Sequence, residues 1–275
     1  MTFSAEPASA SQIQRARLLT PRRCFIFSLL LLLAGIMYSL TIGRYPISFA
    51  ALIGFFGSDA SAPDHALLHN ILIDSRLPRI LAAVLVGAGL SVSGAAYQAV
   101  FRNPLVSPGL LGVLSGCAFG AALSIVTGLN GLWIPALACV AGLLAVALGV
   151  GIASLFASPS ILMLILGGII SNALFTGLLS IVKYVADPQD QLPTIIYWML
   201  GSLSAVDNHA LLLTAPVLVV AIALLAGIGR VLDVMTLSED EAYSLGVPVR
   251  FYRYGIIVLA TLISALTVSL AGMVG

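Results

Sequence analysis

Long apolar stretches separated by short polar segments make up the chain from residue 24 onward. The stretch from Ile80 to Val100 has no charged residue, and a helix of about 20 residues covers the roughly 30 Å hydrocarbon core of a bilayer. Lipid offers the backbone no hydrogen-bond partner, and these stretches lack the alternating polarity of barrel strands, so we predict transmembrane helices. The pattern predicts about seven crossings, at 24–42, 80–100, 109–128, 132–157, 161–182, 209–229 and 254–274.

Small residues recur every four positions in the second predicted crossing, at Gly87, Ser91 and Ala95. Such a stripe lets the backbone of a neighbouring helix come close in lipid. We therefore predict that this helix packs in a bundle through that stripe.

Two predicted outer segments, 44–79 and 183–208, are longer than simple turns. The first contains FAALIGFFG at 49–57, which is too short to span a bilayer. The second contains Tyr197 and Trp198, whose amphipathic rings suit the level of the lipid headgroups. We predict that both segments cover the outer face.

The composition leaves little room for a soluble protein, because 60% of the residues are hydrophobic and only 8% are charged. The formal net charge of +1 does not indicate nucleic-acid binding. No cofactor or metal site is predicted. His65 and His69 lie four apart, but only Asp64 and Asp74 stand near them as further ligands. The cysteines, Cys24, Cys117 and Cys139, show no metal-ligand spacing and are interpreted as small core residues.

The chain divides into a polar cytoplasmic tail, 1–23, and a transmembrane domain, 24–275. With the N-terminus inside, eight arginines face the cytoplasm and four cations face outward, which favours this orientation. The inner group is Arg15, Arg17, Arg22, Arg23, Arg102, Arg230, Arg250 and Arg253, and the outer group is Arg44, Arg76, Arg79 and Lys183.

Five sequence motifs resemble the FecCD-type permease subunits of ABC importers for iron-siderophores, haem and vitamin B12. They are RLPRILAAVLVGAGLSVSGAAYQAVFRNPLVSPGLLG at 76–112, LGGIISNALF at 166–175, YWMLGSLS at 197–204, SEDEAYSLGVPV at 238–249 and SLAGMVG at 269–275. The resemblance implies an all-α polytopic membrane protein with the ABC importer type II permease fold, in the bacterial inner (plasma) membrane. Such permeases normally have ten crossings, so we expect this chain to be incomplete at its C-terminus.

Arg76 and Arg79 flank Pro78 in what the sequence predicts to be an arginine-proline turn at the outer mouth of the second crossing. Guanidinium groups pair with carboxylates and attract acidic partners. The resemblance implies that both arginines receive a periplasmic or extracellular substrate-binding protein. The alternative is that they only anchor the helix end among lipid headgroups.

The polar segment 237–246 predicts a short cytoplasmic helix, with Ser238 as its N-cap, Glu241 completing a capping box and Gly246 ending it. The resemblance implies that this is the coupling helix, which contacts a cytoplasmic ATPase subunit through Glu239, Glu241, Ala242, Leu245 and Gly246. Ser238 replaces the glycine usual in the family. An ordinary capped loop helix would explain the same residue types.

A small, weakly polar stripe follows the fifth crossing. It either packs against a neighbouring helix or, as the resemblance implies, lines the translocation path. Its members are Gly168, Ser171, Asn172, Thr176 and Ser180. The turn at 158–160 is expected near an inner gate, and the loop from Arg102 to Gly109 is expected to be structural.

No phosphate-binding GxxxxGK[ST] loop is present, and Lys183 is the only lysine. We therefore expect no enzyme, but a permease subunit that moves a ferric-siderophore, haem or corrinoid with the help of a separate ATPase and a second permease copy, identical or homologous. Two alternatives remain: an ATPase-independent secondary transporter or channel, and a non-functional truncated fragment. The crossings carry no ionisable residue at their centres, which weakens the first alternative.

Overall fold

The structure is a computed structural model that describes residues 20–57, 63–129, 131–155, 161–206 and 208–274. Twelve α-helices, which we number α1 to α12, make up most of the described chain. They are α1 Pro21–Thr41, α2 Phe49–Gly57, α3 Pro63–His69, α4 Leu77–Phe101, α5 Val113–Val126, α6 Trp133–Ser154, α7 Ile161–Val185, α8 Gln191–Leu200, α9 Asn208–Gly227, α10 Gly229–Met235, α11 Glu239–Ser244 and α12 Val249–Ala271. The predicted all-α membrane fold is confirmed.

Six helical stretches in the described residues are long and apolar enough to cross a membrane, one fewer than the seven predicted. The third predicted crossing, 109–128, is represented by the shorter helix α5. Residues Pro108–Leu111 form a 3-10 turn instead, and Gly112 follows with a φ of 83°. Since only glycine adopts that left-handed conformation readily, the long helix is interrupted there.

The described chain forms two compact units, one up to Ile80 and one from Leu81 onward. In the first unit, the predicted arginine-proline turn is wrong. Residues Asn70–Arg76 form a π-helix between α3 and α4, and the N–H of Leu77 donates to the carbonyl of Leu72. Pro78 lies in the first turn of α4, where its missing N–H does not break the helix.

A small apolar core stabilises the first unit. It is formed by four buried side chains, Ile47, Leu52, Phe55 and Leu72. They come from the loop after α1, from α2 and from the π-helix, so FAALIGFFG is a short helix that packs against its neighbours in sequence.

In the second unit, α5, α6 and α7 pack against one another, and α12 packs against α6 and α9. Helix α12 is the most enclosed of the long apolar helices, with 72% of its apolar window buried. Its polar side chains bond mainly to their own backbone, but the hydroxyl of Thr261 also meets that of Tyr97 on α4 at 2.7 Å. A buried hydroxyl pair of this kind helps to fix two helices where water is absent.

The contact between α6 and α7 depends on two glycines and a serine. A Cβ on Gly167 would overlap the carbonyl oxygen of Gly149, so the two backbones touch. One turn further along, the fully buried hydroxyl of Ser171 donates to the carbonyl of Ala145 at 2.5 Å. Small residues therefore provide both the close approach and the polar bond.

The helix α4 packs in a bundle, but not within this chain through the predicted stripe, because Gly87, Ser91 and Ala95 are all exposed in the described chain. The helix packs through another face. A Cβ on Gly89 would lie 2.6 Å from the Thr267 methyl group of α12. Four-residue spacing indicates a stripe, but several small residues on one helix allow more than one such stripe.

Large apolar side chains cover the outside of the second unit. On α9, for example, Leu212 is 72% exposed and Leu213 is 62% exposed. A water-soluble protein rarely exposes apolar patches of this extent. Lipid is the environment that this surface suits.

Gly167→Ala is expected to lower the melting temperature of the detergent-purified protein, because the added methyl group overlaps the backbone of Gly149. Overpacking of this kind costs about 1–3 kcal/mol. The matched control is Gly177→Ala on the same helix, where a Cβ meets no described atom within 4 Å. Helix propensity makes that control neutral or slightly stabilising. Equal melting temperatures for the two variants would contradict the close contact.

Candidate functional site

The segment between α10 and α12 contains the predicted short helix, now observed as α11. The backbone N–H of Glu241 donates to the Ser238 hydroxyl oxygen at 3.3 Å, and the Ser238 N–H donates to the Glu241 carboxylate at 3.0 Å. This is the predicted capping box. Gly246 has a φ of 77°, as expected for a residue that ends a helix.

The carboxylate of Glu241 is occupied by this cap. The hydroxyl of Ser238 donates to it at 2.7 Å, in addition to the backbone bond. The bond from the Ser238 hydroxyl has the largest effect on the pKa of the Glu241 carboxyl, and the bond from the Ser238 backbone N–H adds to it. Both favour the ionised form, so they hold this pKa below its ordinary value.

The carboxylate of Glu239 meets two arginines of the same chain. The Arg253 guanidinium on α12 lies 2.5 Å from it, and the Arg102 guanidinium, just beyond α4, lies 3.5 Å from it. Arg102 also donates to the carbonyl of Leu237 at 3.2 Å. One carboxylate thus joins α11 both to the nearby start of α12 and to the sequence-distant end of α4.

The five residues predicted for ATPase contact differ in their surroundings. Ala242 is buried and belongs to the main apolar core, which seats α11 on the helices above it. Glu239 and Glu241 bond within the chain, as described. Leu245 is 61% exposed and, with Gly246, forms the open end of α11. Ala242 is thus the buried residue of α11, and the large apolar side chains that the helix region exposes are those of Tyr243 and Leu245, toward its C-terminal end.

Sequence reasoning missed Arg102 and Arg253 as partners of Glu239. Arg102 was assigned to a structural loop, and Arg253 was counted only as an inner positive charge. One sequence signal was available for Arg253. It stands immediately before an apolar stretch in the sequence. The structure shows that α12 begins earlier, at Val249, so the charge of Arg253 lies inside the helix.

The predicted docking residues, Arg76 and Arg79, differ in their surroundings. The Arg76 guanidinium donates to the carbonyls of Leu40 and Tyr45, at the end of α1 and in the loop after it. A Cβ on Gly43 would collide with the same guanidinium, so the loop wraps closely around it. The Arg79 side chain is exposed.

The predicted stripe on α7 divides into two faces. Gly168 and Ser171 are buried, and a Cβ on Gly168 would lie 2.7 Å from the carbonyl of Leu110. Asn172, Thr176 and Ser180 are exposed and follow one another at intervals of four residues. The Ser180 hydroxyl donates to the carbonyl of Thr176 at 2.9 Å, so lipid would cost it little. The Asn172 amide is the expensive group in lipid, and it favours a wet or protein-covered surface at this part of α7.

Two of the five sequence motifs contact each other. The N–H of Ser202, in YWMLGSLS, donates to the carbonyl of Ala271, in SLAGMVG, at 2.8 Å. Gly272 lies so close to Trp198 that any Cβ would overlap the tryptophan carbonyl oxygen. The segment after α8 is thereby fixed to the end of α12.

Among the described residues, no group of three or more histidine, cysteine or acidic side chains is placed to hold a metal ion. The His65 ring stacks on Phe55 with 4.7 Å between ring centroids, and His69 lies 3.7 Å from Asp74. The predicted gate turn at 158–160 and the N-terminal residues 1–19 lie outside the described residues.

Comparison with known proteins extends these observations. A model of the FecCD transport family matches residues 31–275. The chain is 35% identical to the molybdate import system permease protein MolB of Haemophilus influenzae, over 93% of this chain and 76% of that protein. It is 32% identical to the hemin transport system permease protein HmuU of Yersinia pestis, over 93% of this chain and 75% of that protein.

A solved metal-chelate type ABC transporter in an inward-facing conformation has the same fold. It superposes with a TM-score of 0.80 at 34% identity, over 93% of this chain and 78% of the other. The chain spans about three quarters of the length of each of these three proteins.

Ser238→Ala is expected to accelerate amide hydrogen exchange in residues 239–245 about fivefold, since loss of a serine N-cap costs about 1 kcal/mol. Ser238→Gly, which restores the usual family residue, is the matched control with a smaller effect. Because the pKa of Glu241 is lowered, its part of the cap is present at neutral pH and is lost as pH falls through that pKa. Indistinguishable exchange in the wild type and the alanine variant would contradict the capping box.

Proposed function

The chain belongs to the FecCD transport family, and we propose that it is the membrane-spanning permease subunit of an ATP-driven importer for a ferric-siderophore, haem or corrinoid. Its likeness to a molybdate permease adds an oxyanion to the candidate substrates. The observation that carries the proposal is α11, a capped helix at the edge of the apolar bundle that is bonded to α12 and to the residue directly after α4.

Helix α11 is the proposed contact for a cytoplasmic ATPase subunit. Its buried face, at Ala242, rests on the apolar core, and its C-terminal turn exposes Tyr243 and Leu245. An exposed apolar turn at the end of a well-anchored helix suits insertion into a cleft on a partner. Gly246 lets the chain leave this helix sharply toward α12.

The exposed row of Asn172, Thr176 and Ser180 is the proposed lining of the translocation path. Gly168 and Ser171, which were also predicted there, support the row from behind by holding α7 against its neighbours. A passage wide enough for a metal chelate needs a second wall. A second permease copy, identical or homologous, would supply it.

A substrate-binding protein is the proposed outer partner. Arg79 is the proposed docking residue, and its exposed side chain supports this role. Arg76 bonds to the carbonyls of Leu40 and Tyr45, so its proposed role is to hold the loop after α1 in place. The proposed location is the bacterial inner membrane, which fits the family. The arginine distribution favours a cytoplasmic N-terminus, and that orientation would put α11 inside.

Uptake by proteoliposomes tests whether ATP hydrolysis drives transport. The chain is reconstituted with its ATPase and binding protein and offered hemin, vitamin B12, a ferric siderophore or molybdate. We expect accumulation of at least one of these with ATP on the ATPase side, and none with a non-hydrolysable analogue. Equal, gradient-driven uptake without the ATPase would instead identify a secondary transporter.

Arg79→Glu is expected to weaken association with the binding protein about tenfold or more, because a charge pair with an acidic partner becomes a repulsion. The dissociation constant is measured on the purified permease in detergent. Lys183→Glu, a charge reversal in the other predicted outer segment, is the matched control and should change affinity less. Unchanged affinity in Arg79→Glu would remove this residue from the docking surface.

A further inference from the structure

Glu239 lies at a junction that the capping pattern of α11 does not explain. Its carboxylate oxygen Oε1 accepts from Arg253 and also lies 3.5 Å from Arg102. The two guanidiniums come from the start of α12 and from the residue directly after α4. A helix of six residues is therefore attached by one side chain to two long apolar helices.

The burial of Arg253 makes this attachment necessary. Its residue is only 5% exposed, and its Nε has no hydrogen-bond partner among the described atoms. In the part of the chain that the structure describes, the carboxylate that meets its guanidinium is that of Glu239. A buried cation that loses its carboxylate is strongly destabilised, so Arg253 constrains where Glu239 can be.

Arg102 adds a second, independent constraint. Its φ of 50° is the one positive value found at a non-glycine residue in the described chain. Residues other than glycine adopt this conformation at a cost, and usually where surrounding contacts enforce it. The side chain that this backbone presents bonds both to Glu239 and to the carbonyl of Leu237. Arg102 therefore contacts both the segment that leads into α11 and the first residue of that helix.

The chain itself connects α11 only to α10 and to α12. The link from α11 to α4 is made by side chains, since Arg102 and Leu237 are separated by 135 positions. A displacement of α11 that preserves these bonds has to carry the end of α4 and the start of α12 with it.

We propose that Glu239 is a positioning residue that transmits the movement of α11 to α4 and α12 together, rather than a residue that contacts the ATPase. We call Arg102, Glu239 and Arg253 the charge clamp. This inference rests on the proposed function, in which an ATPase moves α11. Loss of the clamp should leave ATPase binding intact and separate ATP hydrolysis from transport.

The test uses the complete complex in proteoliposomes and measures substrate moved per ATP hydrolysed. The probe is whichever of hemin, vitamin B12, ferric siderophore or molybdate the wild type accumulates. We expect Glu239→Gln to retain co-purification with the ATPase and to lower this ratio about tenfold, within the range seen for mutations in coupling networks.

Two further variants keep the test independent of folding. Arg102→Asn removes the guanidinium, suits the left-handed backbone and preserves the buried pair of Glu239 with Arg253, so it should fold and still lower the ratio. The double variant, Glu239→Gln with Arg102→Asn, should be no worse than Glu239→Gln alone, because both changes break one connection. Asp233→Asn removes an exposed charge on α10, outside α11, and is the matched control, with an unchanged ratio.

The outcomes separate this proposal from the proposed function. A wild-type ratio in both Glu239→Gln and Arg102→Asn overturns the charge clamp and leaves the importer assignment standing. Loss of ATPase co-purification in Glu239→Gln, with Arg102→Asn normal, also overturns it, because it makes Glu239 a contact residue. A wild-type complex without ATP-dependent uptake overturns the proposed function and this inference with it.

Discussion

A bilayer core contains no water, and this absence governs the whole architecture. Every backbone N–H and C=O must find its partner within the protein, and in a sequence without the alternating polarity of barrel strands this favours long helices. Helix surfaces are about as apolar as lipid tails, so burying them against one another brings little hydrophobic gain. Transmembrane helices therefore associate mainly through close van der Waals packing. The contact of Gly149 with Gly167 is one example of that fit, and the hydroxyl of Ser171 adds a directed bond beside it.

At the edge of the bundle, other interactions stabilise the structure. Helix α11 is too short to be stable by itself, and three kinds of interaction support it: the capping box at its start, the burial of Ala242 and the ion pairs of Glu239. Apolar burial holds the helix in place without fixing its direction, whereas the carboxylate fixes direction, because guanidinium bonds depend on geometry. The proposed coupling role uses both properties.

The sequence predicted best what is local. The capping box of Ser238 and Glu241 and the end at Gly246 depend on residues within nine positions of one another, and all were observed. The charge clamp was missed because Arg102 and Glu239 are neighbours only after folding. The packing face of α4 was misjudged for a related reason: Gly87 and Gly89 are both small, and only the position of Thr267 decides which one is used. Length alone also overestimated α5, since the effect of Gly112 depends on its left-handed backbone.

The two faces of α7 carry a final consequence. On one side the helix touches α6 backbone to backbone, and a contact without intervening side chains leaves nothing that could repack to permit sliding. On the other side lies the row from Asn172 to Ser180. We therefore expect α6 and α7 to move together as one rigid pair. If the proposed path widens, this row would shift sideways without rotating, and the same amide and hydroxyl groups would face the path before and after the change.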